Sequence, residues 1–539
     1  MAEAENLKDP GLPGETQFDT VIYGSPPLAY PAALIQYVIY NTPDPAYVTG
    51  RIDVSAFANL GFAPWPFANT NVPLNGHICI PRGRGPFPLA VFAHGNHTPL
   101  ENSTPGYLYL CQLLASHGII AATIDVNFLN GGGAGENDAR AIVHLEHLKQ
   151  FRTWNSTATH PLHAKVDLNR ILIVGHSRGG EAVGHASYFN RLPSIGAVNL
   201  DGLAPFFLGP YRFGLSAVAA IAPTDRQFIP VSGPTVVPDP YYIIHGSKDS
   251  DVSDFQGYHT YERAHAVDLA NATVSDGKFK AMLWVHKANH NCFNSVWAPD
   301  ASPPVTMTRA SQEQVAKVHL GALAQAVLLD RAEYMDVLRD HGAAVLWDPP
   351  GTDFVSQYLD PERILVQHNQ EGVGAPVVSL PVQGTVANDA TVVPTRALTL
   401  LTGGVTTTIT LRLVWSALGA RLLLTVDPAT LPAERYKVLA LRVGQSTDLN
   451  NAANRDQDFT LEVSSGSRTA SVLASSLHRL IYPDAPVFGP AKIMMQTLRL
   501  PVAQLVERGV ETTDIRTITF FFNRRATGTL FVGDLSFSN

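Results

Sequence analysis

Cysteine is scarce in this chain, with Cys79, Cys111 and Cys292 the only three among 539 residues. An odd, sparse count builds no disulfide framework, and the spacing matches no zinc pattern. The expected role is that of small buried thiols. Charge is also low, with 38 Lys and Arg against 46 Asp and Glu and a net charge of −8. No long basic run occurs, so nucleic-acid and anionic-membrane partners find no support. The most apolar early run, "LAYPAALIQYVIY", is too short to span a bilayer and contains a proline. The start, "MAEAENLKDPG", is acidic and lacks an apolar signal core. The expected location is the cytoplasm as the sequence stands, or outside the cell if a leader has been removed. Fixed-period repeats and low-complexity tracts are absent too.

What is present is a globular composition, 45% hydrophobic. The length calls for two domains. From about Phe18 to Phe293 strand-like and helix-like stretches alternate. "FDTVIYG" and "GHICIPRG" read as early strands. "PLAVFAHGN", "IIAATIDVN", "RILIVGHS", "LSAVAAIAP", "PYYIIHGSKD" and "KAMLWVHKANH" read as buried ones. "LYLCQLLASHG", stopped by Gly118, and "NDARAIVHLEHLKQFRTW" have helical spacing. Continuous β-branched runs separated by helices predict a mostly parallel sheet covered on both faces, an α/β fold. A long helical pattern over residues 308–342 closes this part. "WDPPGTD" then marks the boundary, giving domains at 1–350 and 351–539. Beyond it, short strand patterns separated by turn residues predict an antiparallel β-sandwich.

Two glycine-rich stretches stand out. "NGGGAGEND", residues 130–138, has Glu136 where GxGxxG needs its last glycine, and it lacks the Gly-Lys-Ser/Thr of a phosphate loop. The expected structure is a flexible loop on a pocket rim. "ILIVGHSRGGEAVGHA", residues 171–186, is different. A buried strand runs into Gly175-His176-Ser177-Arg178-Gly179, and a small-residue helix follows. This is the context of a nucleophile elbow, where bulky residues two positions either side of the serine would collide with strand or helix.

A serine hydroxyl needs a base and an orienting carboxylate. Asp249, in "HGSKDSDV" after the next-to-last strand, is the preferred acid, with Asp251 as its alternative. His290, in "VHKANHNCF" after the last strand, is the preferred base, and His286 within the strand pattern is read as structural. The expected oxyanion donors are two backbone N–H groups: that of Arg178, and that of Asn96 in "FAHGNH", with His97 as alternative. The Arg178 side chain is expected to reach a carboxylate across the helix start or the pocket rim. His94 and His97 lack a third ligand at zinc-like spacing, so neither metal nor cofactor is expected. "STDLNNAANRDQD" is read as a loop rather than a metal site.

"HGN", "IDVNFLN", "NDAR", "GHSRGGE", "GSKDSDV" and "ANHNCF" together resemble a bacterial α/β-hydrolase family related to chlorophyllases, cutinase-like polyester hydrolases and dienelactone hydrolases. The resemblance covers roughly residues 75–330. It implies a serine ester hydrolase with Ser177, Asp249 and His290 as triad. "LALRVGQ", "QTLRLPV" and "ITFFFNRRATGTLFVGDLSF" resemble jelly-roll modules appended to some secreted hydrolases. The short segment from Asp225 to Tyr241, with four prolines, cannot hold a helical cap. An open site for bulky or polymeric esters is therefore expected. Phe206–Phe213, Trp65 and Phe67 are candidates for the cleft wall or the core. The competing functions are an acyltransferase, amidase or peptidase using the same triad, and a binding protein on a hydrolase scaffold.

Overall fold

The computed structural model describes the chain apart from residues 1–6, 30–42, 59, 61–62, 132–135, 199–204, 228–235, 265–272, 276, 301–306, 368–382, 388–389, 396–409, 467, 486 and 489–490. Side chains of residues 196–198, 205–207, 273–275, 367, 383–387 and 390–395 are likewise not described. The chain divides into two compact units. One takes in Met1–His265 and Val285–Asp353, the other Ala266–Trp284 and Phe354–Asn539. Residues 266–284 thus group with the C-terminal part, which no composition shift in the sequence marks.

In the first unit the sheet strands are β1 (Phe18–Tyr23), β2 (Gly76–Pro81), β3 (Phe87–Ala93), β4 (Ile120–Ile124), β5 (Val166–His176), β6 (Leu215–Ile221) and β7 (Tyr241–Gly246). β8 (Lys280–Val285) follows in sequence. The helices used below are α1 (Leu108–Ser116), α2 (Glu136–Ser156), α3 (Arg178–Arg191) and α4 (Arg309–Leu328). The seven strands run in the order β1-β2-β4-β3-β5-β6-β7. β3 lies parallel to β4 and β5, and β6 parallel to β5 and β7, while β1 and β2 pair antiparallel at one edge. Leu89–Ala93 of β3, Ile120–Ala122 of β4 and Ile171–Val174 of β5 are at most 1% exposed. Strands apolar on both faces require helices on both faces, so the uninterrupted β-branched runs encode this layering. Edge strand β1 instead mixes exposed and covered positions. The architecture is an α/β-hydrolase fold followed by antiparallel sheets.

Two expectations are corrected. The helical pattern over 308–342 is not one helix. α4 ends at Leu328, Asp330 takes a left-handed φ of 56°, and short turns follow. Apolar periodicity survives such a break because each piece still packs on the core. The stretch 130–138 is not loop throughout, because Glu136, Asn137 and Asp138 open α2. Acidic residues suit a helix's first turn, whose N–H groups have no intrahelical acceptors. Residues 132–135 lie outside the described chain.

The second unit contains a seven-stranded and a five-stranded sheet. In the first, Gly528–Ser538 pairs antiparallel with Glu362–Gln367, Thr410–Trp415 and Val438–Gln445. In the second, Ile515–Phe522 pairs with Ala420–Thr425 and Thr460–Ser465. Alternating residues of both sheets, among them Leu413, Trp415, Leu422, Leu424, Leu441, Phe520 and Leu530, form one apolar cluster, the pattern of a sandwich. Trp415 stacks on Phe522 with ring centroids 4.2 Å apart. "STDLNNAANRDQD" is a hydrogen-bonded loop, in which Asn451 binds the Ser446 and Thr529 carbonyls.

Candidate active site

Ser177 sits where β5 turns into α3. Its φ of 58° and ψ of −125° are an uncommon conformation for a residue with a side chain. Such a turn demands close backbone packing. A Cβ on Gly175 would stand 2.0 Å from the Gly179 carbonyl oxygen, and one on Gly179 would stand 2.5 Å from that of His94. The two glycines flanking the serine are therefore steric necessities. Ser177 is 2% exposed. The turn after β3 lies directly over it, since a Cβ on Gly95 would meet the Ser177 Cβ at 2.4 Å.

Asp249 follows β7 and is buried. Its Oδ2 lies 2.8 Å from His290 Nδ1, and its Oδ1 accepts the N–H groups of Asp251 and Val252. Asp251, two-thirds exposed, instead places Oδ2 3.5 Å from His290 Nε2. The two candidate acids thus face opposite nitrogens of one imidazole. Burial pushes the Asp249 carboxyl upward, and His290 pulls it back down. Burial alone would depress His290, but Asp249, helped by Asp251 and Asp300, outweighs it and holds the pKa at about 9. His290 Nε2 makes no hydrogen bond, to Ser177 or to any other described residue. The ring of His176, the residue before Ser177, lies 4.8 Å from that of His290 between centroids.

The loop carrying His290 is held by two residues that sequence reasoning missed. Asp300 accepts the N–H groups of His290 and Asn291, and also bonds the Ser250 hydroxyl beside Asp249. Gln312 of α4 accepts from the Asn289 N–H and donates to its carbonyl. Neither has a local signature, because each acts across a separation seen only in the fold. His286 lies one residue past β8, and its N–H bonds the Asp353 carbonyl.

Asn96 lies in the turn over Ser177. Its Oδ1 accepts the Gly131 N–H, and its own N–H has no acceptor among the described residues. His94 is fully buried and structural. Its Nδ1 donates to the Gly95 carbonyl, and its Nε2 accepts from Val126. Burial drives its pKa down to about 3. His97 instead stacks on Trp297. Arg178 does reach a carboxylate: its Nη1 is 2.7 Å from Glu136 Oε1. Tyr211 is core, its hydroxyl bonding Glu146, and Phe213 packs beneath Arg152. Trp65 stacks on Phe67, which packs edge-on against Phe128. The side chains of Phe206 and Phe207 are not described. Residues 228–235, on which the expectation of an open site rests, also lie outside the described chain.

All three cysteines are buried and unbridged. No described helix is long and apolar enough to cross a membrane. The fold and the strand–serine–helix turn define a protein of the α/β-hydrolase class. Within it, the chlorophyllase family model matches residues 46–190, well under half of the chain. That span holds the Asn96 turn, Glu136 and the Ser177 elbow, and ends before Asp249 and His290. The match supports an ester-cleaving hydrolase. No curated protein matches the chain.

Proposed function

We propose that the protein is a carboxylic-ester hydrolase working through an acyl-serine intermediate on Ser177. The observation that carries this reading is the buried Asp249–His290 pair, at 2.8 Å through Nδ1. That pairing leaves Nε2, the nitrogen a serine base must use, without a hydrogen-bond partner. Ser177 Oγ attacks the ester carbonyl carbon while Nε2 takes its proton. The tetrahedral oxyanion accepts hydrogen bonds from the N–H groups of Asn96 and Arg178. Nε2 then protonates the departing alkoxide, the C–O bond breaks, and the acyl group stays on Ser177. Water, deprotonated by Nε2, repeats the cycle and releases the acid. Contacts of this kind tighten in the substrate complex, so the absent Ser177–His290 bond fits a resting site.

His290 must be neutral to accept a proton. Its raised pKa places the rising limb of the pH–rate profile on the alkaline side of neutrality. The short Asp225–Tyr241 segment favours bulky esters. A fluorophosphonate is expected to label Ser177. Ser177→Ala is expected to lower kcat on short p-nitrophenyl esters roughly 10⁶-fold. Turnover retained in that variant would sink the reading.

A further inference from the structure

The acidic residue that breaks the glycine pattern in "NGGGAGEND" has no part in the mechanism above, yet it is fully buried beside the elbow. Glu136 Oε1 is 2.7 Å from Arg178 Nη1 and 3.2 Å from Arg140 Nη2. Arg140 is fully buried as well. Its Nη2 donates to Asn130 Oδ1 at 2.8 Å, and its Nη1 lies 3.5 Å from the His94 and Gly95 carbonyl oxygens. The next residue, Gly131, donates its N–H to Asn96 Oδ1 at 2.8 Å. One carboxylate thus stands at the root of two chains. One leads in a single step to the residue after the nucleophile. The other leads through Arg140 and the 130–131 turn to Asn96.

We infer that Glu136 is the positioning residue of the oxyanion hole, holding the Arg178 donor directly and the Asn96 donor through Arg140, Asn130 and Gly131. The inference rests on the acyl-serine reading above. Its physical basis is twofold. Ser177 is held in a strained conformation, which persists only when its surroundings over-determine it, and the Arg178–Glu136 pair ties down the very next residue. Oxyanion donors also act through preorganisation, so small misplacements cost rate before they cost substrate binding. Packing the fully buried Arg140 and the largely covered Arg178 guanidinium around one buried carboxylate is costly, and apolar residues would pack there at less expense. A role in holding the site accounts for keeping the charges.

The test uses the full-length chain, p-nitrophenyl acetate and a trifluoromethyl ketone, whose hemiketal oxyanion reports on the hole directly. In Glu136→Gln, kcat is expected to fall about 10- to 100-fold with KM changed by less than about 3-fold. The ketone should weaken by the same factor as kcat/KM. Arg178→Met keeps the backbone donor and leaves Glu136 paired with Arg140, so it serves if Glu136→Gln does not fold. The same split is expected there, and the double variant should lose no more than the worse single one. A folded variant with wild-type kcat and ketone affinity overturns the inference, as does a loss confined to KM. Wild-type protein that neither turns over the ester nor binds the ketone overturns the acyl-serine reading, and this inference with it.

Discussion

Both units bury ionisable groups, but the first gathers many of its own near the serine turn, whereas Lys280, Asp360, Arg363 and Lys492 are those at 3% exposure or less among the described residues of the second. Beneath the elbow lie His94, Asp125, Glu136, Arg140, His144, His147, His176 and Glu181, all 5% exposed or less. The central cluster of the second unit is aliphatic and aromatic. The only histidine described there, His478, is partly exposed. An apolar interior asks little beyond volume and alternation, so many sequences satisfy it. A polar interior must pair every group, and an unpaired one costs far more than a lost methyl. That many of those groups lie near Ser177 fits the first unit as the seat of the proposed chemistry.

The contrast can be broken by substitution. The largest expected effect is in the first unit. Asp249→Asn keeps the shape but supplies the wrong partner to His290 Nδ1, so kcat on p-nitrophenyl esters should fall about 10⁴-fold. A loss under tenfold would move the acid's role elsewhere, with Asp251 the first place to look. In the second unit, Trp415→Ala empties the space against Phe522 and should cost about 3–5 kcal/mol. Calorimetry should show one transition falling, with kcat at 25 °C unchanged.

Acid should separate the units next. Burial lowers His77 to about 4, and His94 and His144 to about 3. In the unfolded chain each takes up a proton near 6.5, which the folded chain refuses, so stability falls as pH drops below that value. At pH 5.5 the three together cost about 4 kcal/mol. Asp125 acts in the opposite sense. Burial raises it to about 7, and it returns about 2 kcal/mol over the same window. With His147 and His176 also held down by burial and His290 held up at about 9, the first unit should lose stability between pH 7.5 and 5.5, read from urea midpoints, while the second barely moves. Equal shifts in both would break the contrast. The smallest effect belongs to Asp251→Asn. It removes an exposed charge near Nε2, lowers the His290 pKa, and should move the rising limb of the pH–rate profile to lower pH by less than about one unit.

How far the site could be read in advance follows from how local each part is. The elbow was legible because strand, turn and helix are consecutive, and because Gly175 is forced by contacts within a few residues of the serine, even though Gly179 is forced by the distant His94 carbonyl. The sheet was legible because burial on both faces leaves a composition no exposed strand would keep. The choice between Asp249, preferred from its place at the strand end, and Asp251 was less legible, since both lie in one short loop and differ in burial and in which imidazole nitrogen they meet. Glu136 was misread as loop because its neighbours are glycines. Its partner Arg178 lies 42 residues further on, brought beside it by the packing of α2 against α3. Asp300 and Gln312 carry no motif at all.

By itself, then, the order of residues determined the layered fold and the serine turn, because each is written in strand and helix patterning, tight-turn residues and burial. Which carboxylate pairs with Nδ1, what anchors the His290 loop and where the Arg178 guanidinium ends were decided only by tertiary structure. Those are pairings between groups far apart in the chain. Their energy depends on the distance and solvent exposure that folding creates.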